Sequence, residues 1–119
     1  MKISTIKELL DAQVLCNDEM LEHDVFSACG SDMMSDVLAY VKNQAVLLTG
    51  LVNSQVIRTA EMMDMVCLVF VRSKQPTQEM IELAKESGLV VLSTKMRMYE
   101  DCGKLYANGL NKTGEKFGA

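Results

Sequence analysis

Met65-Val66-Cys67-Leu68-Val69-Phe70-Val71 is a run of seven residues without a polar side chain. A bilayer-spanning helix takes about 20 apolar residues, so this run is far too short to cross one. It suits a strand buried on both faces, which needs a cover on each side. Two further apolar runs flank it, Ala45-Val46-Leu47-Leu48-Thr49 before and Leu89-Val90-Val91-Leu92 after. Between the three lie helical patterns. Residues 54–63 place Val56, Ile57, Ala60 and Met63 on one face, and Pro76-Thr77 opens a helix to Ser87 that Gly88 closes as a C-terminal cap. Consecutive strand-helix units with all-apolar strands predict parallel strands covered by helices on both sides.

The remaining elements follow the same rhythm. Thr5 and Glu8 form a capping-box pair ahead of Ile6, Leu9 and Leu10, predicting a helix over residues 5–11. Residues 13–16 form a short strand, 17–19 a polar turn, and 24–30 a second strand. Ser31 or Asp32 caps a helix over 33–42, with Met34, Val37, Leu38 and Val41 on one face. A last helix is expected at 96–107, and residues 111–119 read as a loose, polar tail. The fold class is therefore α/β, a three-layer sandwich around a largely parallel sheet, with the β elements before residue 31 at its edge or in a small cap. With 119 residues, a single domain over 1–110 followed by a flexible tail over 111–119 is expected.

Composition excludes several functions. The net charge is −4 and Trp is absent, so the chain lacks both the basic surface and the aromatic platform of nucleic-acid binders. The acidic excess sits in the first half, in Asp18, Glu19, Glu22, Asp24, Asp32 and Asp36, and reads as a solvated face or as a patch for a basic partner. The N-terminus has no apolar core of a signal peptide. Cys16, Cys29, Cys67 and Cys102 are dispersed without a CxxC pair, so neither structural zinc nor a disulfide framework is expected. A cytoplasmic protein without membrane contact, metal or cofactor is the expectation. Ten methionines serve chiefly as core filling, with an exposed fraction available for self-association.

No P-loop, GxGxxG, GxSxG or HExxH pattern occurs, and His23, the single imidazole, lies in the acidic stretch away from any candidate nucleophile. His23 reads as a surface histidine, and Asp32 with Asp36 as a cap plus an exposed residue. The better candidates are loops. In parallel sheets ligands bind beyond the carboxyl ends of the strands, where helix N-termini present free N–H groups. Here that means Thr49, Gly50, Asn53 and Ser54 in one loop and Ser93, Thr94 and Lys95 in the other, with Ser31 and Asp32 nearby. Lys95 at a helix start opposes the helix dipole unless it reaches an anion. Ser, Thr and Asn in such loops also serve as plain helix caps.

Several strings resemble the DRTGG domain family. They are Ser31-Asp32-Met33-Met34-Ser35-Asp36-Val37-Leu38-Ala39, the loop at 49–53, the strand-helix unit at 67–88, and Val91-Leu92-Ser93-Thr94-Lys95, so the resemblance spans residues 2–110. The family's name motif is replaced here by Glu22-His23-Asp24-Val25-Phe26-Ser27-Ala28. The resemblance implies a fold like the N-terminal domain of HPr kinase/phosphorylase and like domains attached to phosphotransacetylases and CBS-containing pyrophosphatases. There it is an accessory, regulatory or dimer-forming part, and stand-alone members lie near iron-only hydrogenase genes. The implied function is a non-catalytic regulatory or ligand-sensing module. It is homodimeric and binds a nucleotide-like or anionic small molecule. The alternative is a structural protein-interaction subunit of a redox or hydrogenase system, and phosphoryl or acyl transfer is the least favoured reading.

Overall fold

The computed structural model describes residues 1–40 and 44–111. In chain order the elements are α1 (Ile3–Leu9), β1 (Gln13–Cys16), a 3₁₀ turn (Asp18–Met20), β2 (Ser27–Gly30), α2 (Met34–Tyr40), β3 (Ala45–Thr49), α3 (Ser54–Met62), β4 (Cys67–Phe70), α4 (Gln78–Ser87), β5 (Val90–Ser93) and α5 (Met98–Ala107). The five strands form one sheet in the order β1-β5-β4-β3-β2. β2 to β5 are mutually parallel, and β1 closes the β5 edge antiparallel, with a register shift between Val14 and Cys16.

The period-two alternation of the strands sorts the core into two layers. Leu47, Leu68, Phe70 and Val91 face one way and pack with Met34 and Val37 of α2, Val56, Ile57 and Ala60 of α3, and Met80 and Ala84 of α4. Val46, Leu48, Cys67, Val69, Val90 and Leu92 face the other way and pack with Ile3, Ile6 and Leu10 around α1 and Leu105 of α5. Strands added always on the same side by crossovers of one hand place α2, α3 and α4 together on one face. The opposite face is then left for the two terminal helices. This is the three-layer α/β sandwich that the apolar runs predict.

Several boundaries shift by a residue or two from the sequence expectation, and three of the shifted starts have a tertiary reason. α1 begins at Ile3 instead of residue 5, and Lys2, not Thr5, is its N-cap, without a side-chain cap bond. Its first amides are satisfied from outside the helix, Ile3 by the His23 carbonyl at 3.1 Å and Ser4 by the Leu21 carbonyl at 2.8 Å, so no capping box is needed. β2 begins at Ser27, because Val25 is drawn into the core beside the N-terminus, its N–H bonded to the Met1 carbonyl at 2.7 Å. α5 begins at Met98, two residues late, because Thr94 and Met96 are held by Phe70 at the end of β4 and by Arg72 and Ser73 just beyond it. Lys95 therefore precedes the helix and does not open it. The end of the helix expected over 33–42 and the tail at 112–119 lie outside the described residues.

α4 follows its sequence signals closely. Thr77 accepts the Met80 N–H at 3.2 Å as N-cap, and Gly88 sits in the left-handed region (φ 69°) with its N–H returned to the last carbonyls. A side chain at that φ is strained, which is why the helix ends there on glycine.

Candidate functional site

The carboxyl ends of β2, β3, β4 and β5 share one edge of the sheet, so the four loops that follow them are neighbours. The first pair is joined through Asp32. After β2, the Ser31 N–H bonds the Leu48 carbonyl at 3.0 Å and continues the ladder. This swings Asp32 over the end of β3, where its Oδ1 accepts from the Thr49 hydroxyl at 2.9 Å and from the Gly50 N–H at 2.7 Å. Thr49 Oγ1 accepts in turn from the Leu51 N–H at 3.1 Å. Asp32 thus staples the loop after β3, while Ser31 Oγ accepts the Met33 N–H at 3.0 Å just ahead of α2.

The second pair is joined by the backbone. Arg72 and Ser73, directly after β4, both take left-handed φ values, 56° and 60°. Two such residues in succession are costly for side chains other than glycine. Their geometry aims the Arg72 N–H at the Met96 carbonyl (2.9 Å) and the Ser73 N–H at the Thr94 carbonyl (2.8 Å). Ser93 Oγ accepts from Gln75 Nε2 at 3.0 Å and donates to the Lys74 carbonyl at 3.1 Å, tying the same two loops. Thr94 Oγ1 donates to the Leu10 carbonyl at 2.6 Å and accepts the Met96 N–H at 3.1 Å, anchoring the end of α1.

Gly50 links the two pairs. A Cβ there would lie 2.5 Å from Arg72 Nη2, so the absent side chain gives the guanidinium its seat on the loop after β3. Arg72, Lys74, Lys95 and Arg97 are all exposed, and they stand on two loops cross-linked by the bonds just described. The opposite edge carries Asp18, Glu19, Glu22 and Asp24, with Lys2 paired to Glu22 at 3.8 Å. The acidic stretch of the sequence is therefore divided between the two edges, Asp32 lying with the cations. The carboxyl edge thus gathers four exposed cations, with Asp32 and the first-turn carboxylates Asp36, Glu79 and Glu100 around them.

The sequence candidates divide accordingly. Asp32, Thr49 and Gly50 come together, as do Ser93, Thr94 and Lys95, and all stand on the same edge. The hydroxyls of Thr49, Ser93 and Thr94 are bonded within the protein, and Asn53 Oδ1 caps α3 by accepting the Gln55 N–H at 2.9 Å. Ser54 opens α3, half-buried. Lys95 is exposed. Sequence reasoning passed over Arg72, Lys74 and Arg97. The signal was present, since Arg72-Ser73-Lys74 and Lys95-Met96-Arg97 repeat one basic-x-basic pattern just beyond adjacent apolar strands.

Other features offer less chemistry. A cavity of about 510 Å³ lies at the opposite edge, lined by residues 14–19 and Lys85. Asn17 organises it from a left-handed backbone, donating to the Ala84 and Leu89 carbonyls at 3.1 and 2.8 Å. Burial pushes the Cys16, Cys67 and Cys102 thiols up, away from nucleophilic thiolates. Among the described residues no group of His, Cys, Asp and Glu could hold a metal ion, and no helix is long and apolar enough to cross a membrane.

Fold and edge together define an α/β module in which the loops after four parallel strands meet on one edge that carries four exposed cations. The sequence profile of the DRTGG domain matches residues 5–105, and the chain belongs to that family. Among solved structures it is similar to the CBS and DRTGG domains of the regulatory region of Clostridium perfringens pyrophosphatase, determined with the activator diadenosine tetraphosphate. The TM-score is 0.72 and the identity 18%, over 87% of this chain and 45% of that one. At that identity the likeness establishes the fold, and this chain spans less than half of that protein's length. A search of curated proteins finds no significant match.

Proposed function

We propose that the chain is a non-catalytic regulatory module, which binds a nucleotide-like or anionic small molecule at the carboxyl edge of its sheet. The observation that carries this reading is the convergence of Arg72, Lys74, Lys95 and Arg97, all exposed, on two loops held together by backbone bonds. Cations on a pre-ordered frame bind phosphate oxygens without first losing loop entropy. In this reading Lys95 and its three basic neighbours contact the ligand. Ser31, Asp32, Thr49, Gly50, Asn53, Ser54, Ser93 and Thr94 shape the loops that present them. The related pyrophosphatase region, crystallised with a dinucleotide polyphosphate activator, supports a ligand of that class. The free thiols of Cys16, Cys67 and Cys102 support a reducing, cytoplasmic setting.

The test is isothermal titration with diadenosine tetraphosphate, ATP and tripolyphosphate on the wild-type chain and on Arg72→Ala and Lys95→Ala. Binding that weakens about tenfold or more in each variant is expected, since a charge-assisted bond is worth roughly 1.5–3 kcal/mol. No heat and no thermal shift with any of the three would sink the reading.

Homodimer formation belongs to the same proposal. Tyr99 and Tyr106 are 81% and 65% exposed and lie with Gly103 on one face of α5. Glu100 follows Tyr99 and Lys104 follows Gly103, both exposed. An antiparallel pair of α5 helices would set Tyr99 of one copy beside Tyr106 of the other, and Glu100 near Lys104, as a two-fold interface requires. The same exposed aromatics favour the second reading, a protein-interaction subunit. A foreign partner recovered in fixed ratio from the native cell, with a monomeric purified chain, would select it.

A further inference from the structure

Asp101 lies in the first turn of α5 and is 0% exposed, and neither carboxylate oxygen has a hydrogen-bond partner among the described residues. It shares the buried face of α5 with Leu105, four residues on, which belongs to the apolar cluster of Ile3, Ile6, Leu10, Val46 and Leu48. An ionised carboxylate in such surroundings is strongly disfavoured unless it finds a partner or water reaches it. The group therefore keeps its proton, or the start of α5 lifts.

That start is attached to the basic edge on two sides. Lys95-Met96-Arg97 leads directly into Met98, so the loop's cations ride on the first turn. On the other side, a Cβ at Gly30 would meet Cys102 Sγ at 2.8 Å and Met98 Sδ at 3.4 Å. The first turns of α5 are thus wedged against the end of β2, next to Ser31 and Asp32.

We propose that Asp101 makes the first turns of α5 proton-responsive and so regulates the anion site on the carboxyl edge, an inference that rests on the anion-binding reading above. With Asp101 protonated, α5 is seated and Lys95 and Arg97 are held in place. Ionisation loosens the seat and disperses them. Few charges compete for this role. On α5 itself Glu100 raises the group and Lys104 lowers it, and the Cys102 thiol is its neighbour. α1 brings Lys7, half-buried, and Glu8, exposed, while β3 has no titratable side chain and Cys29 of β2 packs in the opposite layer. Burial is the dominant cause and lifts Asp101 to about 6, which places the transition near neutrality.

Two measurements on the full chain test this from about pH 5 to about pH 8. Amide hydrogen exchange of residues 98–102, corrected for intrinsic rates, should show protection falling about tenfold in the wild type and staying flat in Asp101→Asn. Affinity for sucrose octasulfate, whose charge is constant over this range, should fall in parallel and only in the wild type. Should Asp101→Asn not fold, Glu100→Gln and Lys104→Gln must move the midpoint of the exchange transition down and up respectively. Unmoved midpoints, or a flat wild-type exchange profile with binding intact, would overturn the proton linkage alone. A shifting exchange profile with constant affinity would overturn the regulation of the site. Absence of octasulfate binding at every pH would remove the anion site, and its regulation with it, whatever the exchange shows.

Discussion

At Asp101, burial and the neighbouring Glu100 raise the carboxyl from 3.8 to about 6 against the pull of Lys104. The folded state therefore binds this proton more tightly than the unfolded chain. Its contribution to stability is complete below about pH 4 and is lost as pH rises through about 6, a difference of about 3 kcal/mol. Urea denaturation at a series of pH values should show this decline in the wild type and a flatter curve in Asp101→Asn. Gly50 supports a different prediction. The atom that a new Cβ would meet is the tip of the long Arg72 side chain, which can swing aside. Gly50→Ala should cost under about 1 kcal/mol in stability yet displace the guanidinium, so thermal melts barely move while tripolyphosphate affinity falls. Asp101 could not be singled out from sequence, and Gly50 was legible as part of a candidate loop but not as the seat of Arg72. Asp101 stands among polar neighbours, and its burial depends on which face of α5 meets α1. Lys95, by contrast, was legible as a charge beyond a buried strand.

At the scale of elements, the helix ends separate framework from site. Asn53 has its oxygen committed to the Gln55 N–H as the cap of α3. Asn53→Ala should lower stability by about 1 kcal/mol in chemical denaturation and weaken anion affinity less than Lys95→Ala does. Thr94 ties α1 to β5 from a buried position, its hydroxyl on the Leu10 carbonyl. Thr94→Val leaves that carbonyl unpaired and should cost about 1–3 kcal/mol, read from the denaturation midpoint. The central strands and α4 were readable because their signals are local: unbroken apolar runs, Thr77 ahead of the helix and Gly88 behind it. The start of α1 was misread because the His23 and Leu21 carbonyls, distant in sequence, do the work assigned to the Thr5–Glu8 pair. The start of α5 differs for the same kind of reason, since Arg72 and Ser73 beyond β4 bind the carbonyls of Met96 and Thr94 and keep that bend out of the helix.

For the whole molecule, charge is organised by the sheet. Strand direction carries Asp18, Glu19, Glu22 and Asp24 to one edge and Arg72, Lys74, Lys95 and Arg97 to the other. If the basic edge is the binding face, affinity for multivalent anions must weaken steeply as salt rises from about 50 mM to about 500 mM, because exposed charges are screened. Titration across that range reads it directly. Sedimentation velocity addresses the other surface. The wild type should sediment as a dimer, and Tyr106→Glu, placing a charge on the exposed stripe of α5, should give monomers of unchanged secondary structure.

What the chain determined by itself was the set of elements and their layering. Three apolar strands joined by amphipathic helices leave a parallel sheet with helices on both faces as the arrangement that buries them, and hydrophobic burial acts on local pattern regardless of partners. Only the tertiary structure decided that Arg72 and Lys74 stand beside Lys95 and Arg97, that Gly50 seats a guanidinium, and that Asp101 is sealed under α5. Those facts arise from contacts between residues far apart in sequence. Strand order and helix seating create such contacts, and no local periodicity encodes them.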